Sequence, residues 1–133
     1  SATAIAETAF HRAKFLSATN EPDTRIFMRE YVGQIVLPML DVTGAQYIDI
    51  HNPDDYQLSQ TFARKHKDED IPGLLYNSVR NKGGMCVAAF KANAMASVSQ
   101  AAHYEYVYSS TLRSIKHVLV VKQFDPSLYP SKQ

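Results

Sequence analysis

The stretch Gly73-Leu74-Leu75-Tyr76-Asn77-Ser78-Val79-Arg80, followed by Asn81-Lys82-Gly83-Gly84 and then Met85-Cys86-Val87-Ala88-Ala89-Phe90, reads as strand, turn, strand. Pro72-Gly73 turns the chain into the first run, and Asn81–Gly84 has the composition of a hairpin turn. The second run is apolar without interruption, which predicts a strand buried on both faces. Ser78 and Arg80 stand at a strand end beside a flexible glycine pair. That placement suits groups that face a ligand, and it equally suits a hairpin whose Ser and Arg meet only solvent. The residues alone leave both readings open.

Working outward, Leu40-Asp41-Val42 is a further short strand or turn, and Arg25–Leu37 is an extended run in which Gly33 marks a bend or bulge. Downstream, Tyr104-Glu105-Tyr106-Val107-Tyr108 alternates as a strand does, His117–Phe124 reads as the last strand, and Ala92–Ala101 has no clear period. Pro126 and Pro130 predict a frayed tail. Two helices are expected. Residues 2–16 place Ile5, Ala6, Ala9, Phe10, Ala13 and Leu16 on one face, with Glu7, His11 and Lys14 on the opposite, polar side. Glu7 and His11 then form an exposed i,i+4 pair. Asn52-Pro53-Asp54 is a helix-start signal, with Asn52 as N-cap, for a helix to about Lys65. The order helix, strands, helix, strands gives an α+β fold with a mixed sheet flanked by helices, in a single domain over residues 1–133.

Composition excludes several function classes. The net charge is +1, from 14 Lys+Arg against 13 Asp+Glu, so the chain lacks the basic excess of a nucleic-acid binder and no direct nucleic-acid contact is expected. The run Arg64-Lys65-His66-Lys67-Asp68-Glu69-Asp70 nearly cancels its own charge and reads as a solvated helix end with a loop behind it. The one cysteine, Cys86, rules out an intrachain disulfide and reads as a small buried hydrophobe. No apolar stretch is long enough to span a membrane, and the expected location is the cytoplasm. The five His have no metal-ligand spacing, and no metal is expected. There is no phosphate-loop, dinucleotide-binding or nucleophile-elbow motif.

The segment Gly73–Arg80 with Gly83-Gly84 and Cys86 resembles the motif of the RES domain, a family named for an Arg, a Glu and a Ser. Ser78, directly before Val79-Arg80, matches the Ser. Thr3-Ala4-Ile5-Ala6-Glu7-Thr8-Ala9-Phe10-His11-Arg12 is similar to the family's Glu-bearing helix, and Glu7 matches the Glu. Tyr56-Gln57-Leu58-Ser59-Gln60 resembles the start of its second helix, and Gln100, His103 and Tyr104-Glu105-Tyr106 resemble its C-terminal strand region. The family's Arg lies upstream of the Glu helix. Arg12 and Arg25 follow Glu7 and do not take its place, so the expectation is a chain without the family's N-terminal part.

The resemblance implies a fold related to ADP-ribosyltransferases and a toxin of a toxin–antitoxin pair. Its substrate would be NAD, cleaved at the nicotinamide–ribose bond, with neutralisation by an Xre-type antitoxin and a possible homodimer. Glu7 and Ser78 would be catalytic, and Arg80 and Tyr76 would bind NAD: Arg80 at the pyrophosphate, Tyr76 by stacking on a ring. The alternative is a catalytically inactive module of the same fold that keeps only partner binding.

Overall fold

The structure is a computed structural model that describes residues 2–122; the expected tail at Pro126 and Pro130, and the end of the last strand at Phe124, lie outside the described residues. The α+β class holds. The order is α1 (Ala2–Ala18), β1 (Thr24–Ile35), β2 (Leu40–Asp41), a 3-10 helix (Ala45–His51), α2 (Gln57–Asp68), β3 (Gly73–Asn77), β4 (Met85–Ala89), a 3-10 turn (Ala92–Ala94), β5 (Met95–Ser109) and β6 (Ser114–Val121).

The strands form two sheets. One is antiparallel, in the order β1-β5-β6, and the other is small and mixed, in the order β2-β3-β4, with β2 parallel and β4 antiparallel to β3. In the larger sheet the Tyr alternation does what period-2 spacing requires. Tyr106 and Tyr108 turn inward and are buried, while Glu105 turns outward to meet Arg25 at 2.8 Å. The β1 register slips between Arg29 and Tyr31 and again between Val32 and Gln34, so the irregularity expected at Gly33 is present. Helix α1 packs on the inner side of this sheet. Ala13 is buried there, and Thr8 Oγ1 lies 2.8 Å from the Tyr106 hydroxyl.

Two sequence expectations are corrected here. Strand β4 is not buried on both faces: Met85 is 60% exposed and Val87 37%. It is an edge strand with β3 on one side only, and its unbroken apolar run reflects small residues along a half-open face. Helix α2 starts at Gln57, not at Pro53. Asn52 Oδ1 accepts the backbone N–H of Asp54 and of Asp55, which closes a turn, and the Gln57 N–H goes to Asp55 Oδ1. A helix begun at Pro53 would give the Pro53 carbonyl to that Gln57 N–H. The carbonyl is instead taken by the Arg80 guanidinium, so the turn stays open and the helix begins one turn later.

Candidate active site

Strand β3 ends at Asn77, and the chain then folds back through 78–84 into β4. Gly83 takes a positive φ of 82°, a conformation that costs Gly little. Gly84 lies so close to Thr3 Oγ1 and Asn81 that a Cβ would collide with them. Asn81 Nδ2 also donates to Thr3 Oγ1 at 2.8 Å. The β3–β4 turn is thereby docked against the first turn of α1, which brings the two candidate catalytic residues together across the fold.

Ser78 is buried, and its hydroxyl donates to Glu7 Oε1 at 2.6 Å. Ser78 Oγ in turn accepts the backbone N–H groups of Arg80 at 3.2 Å and Asn81 at 3.0 Å. A serine hydroxyl has one proton and two lone pairs, so Ser78 is fully used. Its geometry suits the orienting of Glu7 better than direct contact with a ligand. The distance to Glu7 Oε1 is that of a charge-assisted O–H···O bond, and it fixes one carboxylate oxygen.

Glu7 is therefore not the outward-facing residue of the helical-wheel reading. Its side chain is 23% exposed against 55% for His11, whose Nε2 stands 3.8 Å from Glu7 Oε2. The wheel misplaces Glu7 because α1 is covered from two directions, by the large sheet and by the β3–β4 turn. Cys86 lies on the less exposed side of β4. It is half-buried, with Sγ 4.0 Å from Glu7 Oε1, and it pairs across the ladder with Tyr76. Burial first, then the nearby Glu7 charge, pushes the Cys86 thiol up. Burial, then Cys86 and Glu7, does the same for the Tyr76 phenol. Both stay protonated at neutral pH.

Glu7 and Tyr76 open onto a cleft of about 210 Å³, walled mainly by apolar groups such as Val42, Leu74 and Ala88, with His51, Tyr56 and Asn77 among its polar rim. Arg80 stands behind this wall. Besides the Pro53 carbonyl it donates to the Tyr56 hydroxyl at 2.8 Å, and its guanidinium carbon lies 3.4 Å from the Phe10 ring centroid. It ties α1 to the segment before α2. Sequence reading gave His51 no role and Tyr56 only a place at the start of a helix; the bonds that tie them to Asn77 and Arg80 span 26 and 24 residues, and no local spacing signals them. Among the described residues no group of three or more His, Cys, Asp or Glu is placed to hold a metal ion, and no helix is long and apolar enough to cross a membrane.

The family model of the RES domain matches residues 1–109. This chain belongs to the RES-domain family. The matched span contains the Glu7 helix, the Ser78 turn and the whole cleft. No curated protein and no solved structure matches the chain. The two residues that resemblance paired as the RES domain's Glu and Ser are thus in direct hydrogen-bond contact, 71 positions apart in sequence.

Proposed function

We propose that this RES domain is an NAD-consuming enzyme that breaks the nicotinamide–ribose bond, and that it serves as the toxin of a toxin–antitoxin pair held in check by a cognate antitoxin of the Xre type. The observation that carries the reading is a carboxylate, Glu7, fixed by a saturated Ser78 at the wall of an apolar cleft.

In this reaction the C–N bond between ribose and nicotinamide breaks, and its electron pair leaves with the nicotinamide nitrogen. Positive charge builds on the ribose as an oxocarbenium ion. The ring nitrogen, a cation in NAD, becomes neutral in the departing base. The protein's task is to favour charge that appears at C1′ over charge that disappears from the ring. A carboxylate held still in a low-dielectric wall does this without reorganising at the moment of reaction. The cleft volume lies below the roughly 300–1,000 Å³ usual for whole-ligand pockets. It suits one end of a dinucleotide, with the remainder reaching outward past Tyr56 and Asn52. Tyr76, a neutral phenol beside Glu7, offers a flat face to the nicotinamide ring. Of the two roles open to Arg80, the holding of the cleft wall is the one its contacts support: Nη2 serves the Pro53 carbonyl and the Tyr56 hydroxyl and the guanidinium lies on Phe10, while Nε is buried without a hydrogen-bond partner. The expected relation to the ADP-ribosyltransferase fold belongs to the same proposal.

The test is nicotinamide release from NAD by the purified chain and by Glu7→Gln, which keeps shape and removes charge. Loss of an electrostatic contact of this kind typically lowers kcat by about 10²–10³-fold, and a matching loss is expected. Equal rates for the two proteins would overturn the role of Glu7. Analysis of the ribosyl product, as free ADP-ribose, a phosphorylated form or a protein adduct, identifies the acceptor.

A further inference from the structure

His51 ends the 3-10 helix Ala45–His51, and both of its ring nitrogens are engaged by backbone. Nε2 receives the Asn77 N–H at 3.1 Å, and Nδ1 lies 2.9 Å from the Tyr47 carbonyl oxygen. A backbone amide can only donate and a carbonyl can only accept. Nε2 must therefore present its lone pair, and Nδ1 must carry the proton. The contacts admit one state of the ring: neutral, with the proton on Nδ1. A second proton would set an N–H against the Asn77 N–H.

The place of this bond in the sheet gives it a purpose. Strand β2 is two residues long and pairs with β3 only at Leu74 and Leu75. Beyond that point β3 has β4 on one side and, among the described residues, no strand on the other, yet Asn77 is its last residue and Ser78 follows directly. The Asn77 N–H points to the vacant side, and the His51 imidazole supplies the acceptor that a longer β2 would have supplied. Asn77 Nδ2 donates to the Thr43 carbonyl at 2.9 Å on the same side. The end of β3 is thus held by a ring in place of a strand, and the hydroxyl that fixes Glu7 hangs from that end. His51 also lines the cleft. A neutral ring there keeps like charge away from a pyridinium substrate and an oxocarbenium ion.

We infer that His51 is a positioning residue, acting as the neutral Nδ1–H imidazole that replaces a strand beside Asn77 and so holds Ser78 and Glu7 in register with the cleft. The kinetic part of this inference rests on the NAD reading above; the tautomer and the Asn77 bond do not.

The experiment joins NMR and kinetics. Long-range nitrogen–proton correlation of the wild-type imidazole is expected to show Nδ1 protonated and Nε2 bare at neutral pH. A proton on Nε2, alone or with Nδ1, overturns the inference. In His51→Ala the Asn77 amide is expected to lose its hydrogen-exchange protection and kcat for nicotinamide release to fall about tenfold or more, since small misplacements of reacting groups carry costs of that order, with KM little changed. In His51→Gln, whose side-chain oxygen can reach the position of Nε2, both are expected to recover most of the wild-type value. Unchanged kcat in a folded His51→Ala overturns the positioning role. If the alanine variant does not fold, the glutamine variant decides: a protected Asn77 amide with wild-type-like turnover supports the inference, and a protected amide with turnover lost overturns it. A wild-type chain that releases no nicotinamide yet shows the Nδ1–H tautomer and the predicted amide pattern overturns the NAD reading, while the bond that holds β3 stands.

Discussion

The two sheets hold themselves together by different means. The β1-β5-β6 sheet is made of long strands, and its order comes from a backbone ladder that runs most of their length, backed by the buried Tyr106 and Tyr108, the first of which meets Thr8 of α1. The β2-β3-β4 sheet has strands of two, five and five residues. Much of its order comes from side chains that bond to backbone: His51 at Asn77, Asn77 at Thr43, Ser78 at Arg80 and Asn81, Arg80 at Pro53. A ladder tolerates changes of side chain because the backbone makes it. A lattice of side-chain bonds does not, but it can set individual groups at positions that no regular strand offers. The first sheet is the platform and the second is the instrument.

The sharpest way to break this contrast is to remove one hydroxyl from each sheet. Ser78→Ala strips Glu7 of its donor and leaves two N–H groups without their acceptor. Activity is expected to fall by about tenfold to a hundredfold, with a stability loss of about 1–3 kcal/mol, read from nicotinamide release and denaturant titration. A Ser78→Ala protein as active as wild type would mean that Glu7 needs no orientation. Arg80→Ala tests the lattice away from the carboxylate. It removes donors from Pro53 and Tyr56 and uncovers Phe10, with an expected cost of about 2 kcal/mol, or a melting temperature lower by roughly 6 °C. Arg80→Lys is expected to recover little of it, since an ammonium does not stack flat on Phe10 as a planar guanidinium does.

Tyr106→Phe is the counterpart in the large sheet. It deletes the contact with Thr8 and should cost about 1 kcal/mol, leaving activity within about twofold, since the strand ladder persists. A large loss of turnover there would blur the division between platform and instrument. The smallest effect belongs to the far end of the large sheet. Asp23 Oδ1 accepts the Ser110 N–H at 2.8 Å and its hydroxyl at 2.7 Å. These bonds, the backbone one first, hold the Asp23 carboxyl below its ordinary value of 3.8. A folded value below the unfolded one adds stability above about pH 3.8, and that stability fades as pH falls through the lower, folded value. Asp23→Asn should therefore show a shallower loss of stability in acid than wild type, measured by thermal melts between neutral pH and pH 3. Identical acid profiles would remove Asp23 from the account.

The same division explains what could be read from the sequence. The large sheet was legible where alternation, a local property, is clear: Tyr104–Tyr108 announces the second half of β5 and Gly33 the irregularity of β1, whereas the first half of β5, from Met95, lies in a run without period. Helix α1 was legible as a helix, yet its wheel set Glu7 facing water, because a wheel assumes one covered side and α1 has two. The start of α2 was misplaced by a good local signal at Asn52-Pro53, overridden by Arg80 from 27 residues away. Glu7 and Ser78 were found through resemblance to the RES family. Spacing gave Ser78 no more than a position beside a glycine turn. The contact between them, the saturation of Ser78, and the parts taken by Cys86 and His51 are products of tertiary packing, with no local pattern to mark them.

The 71 positions between Glu7 and Ser78 also fix when the protein can act during its own synthesis. Helix α1 leaves the ribosome before the strands it packs on, since the strand that pairs with β1 is β5, and the small sheet is made between them. The segment from β2 to β4 can close on itself through short loops, whereas α1 has no sheet to lie on until β5 and β6 emerge. The nascent chain thus carries its carboxylate and its serine apart for most of translation. The centre comes together only once β5 and β6 have been made.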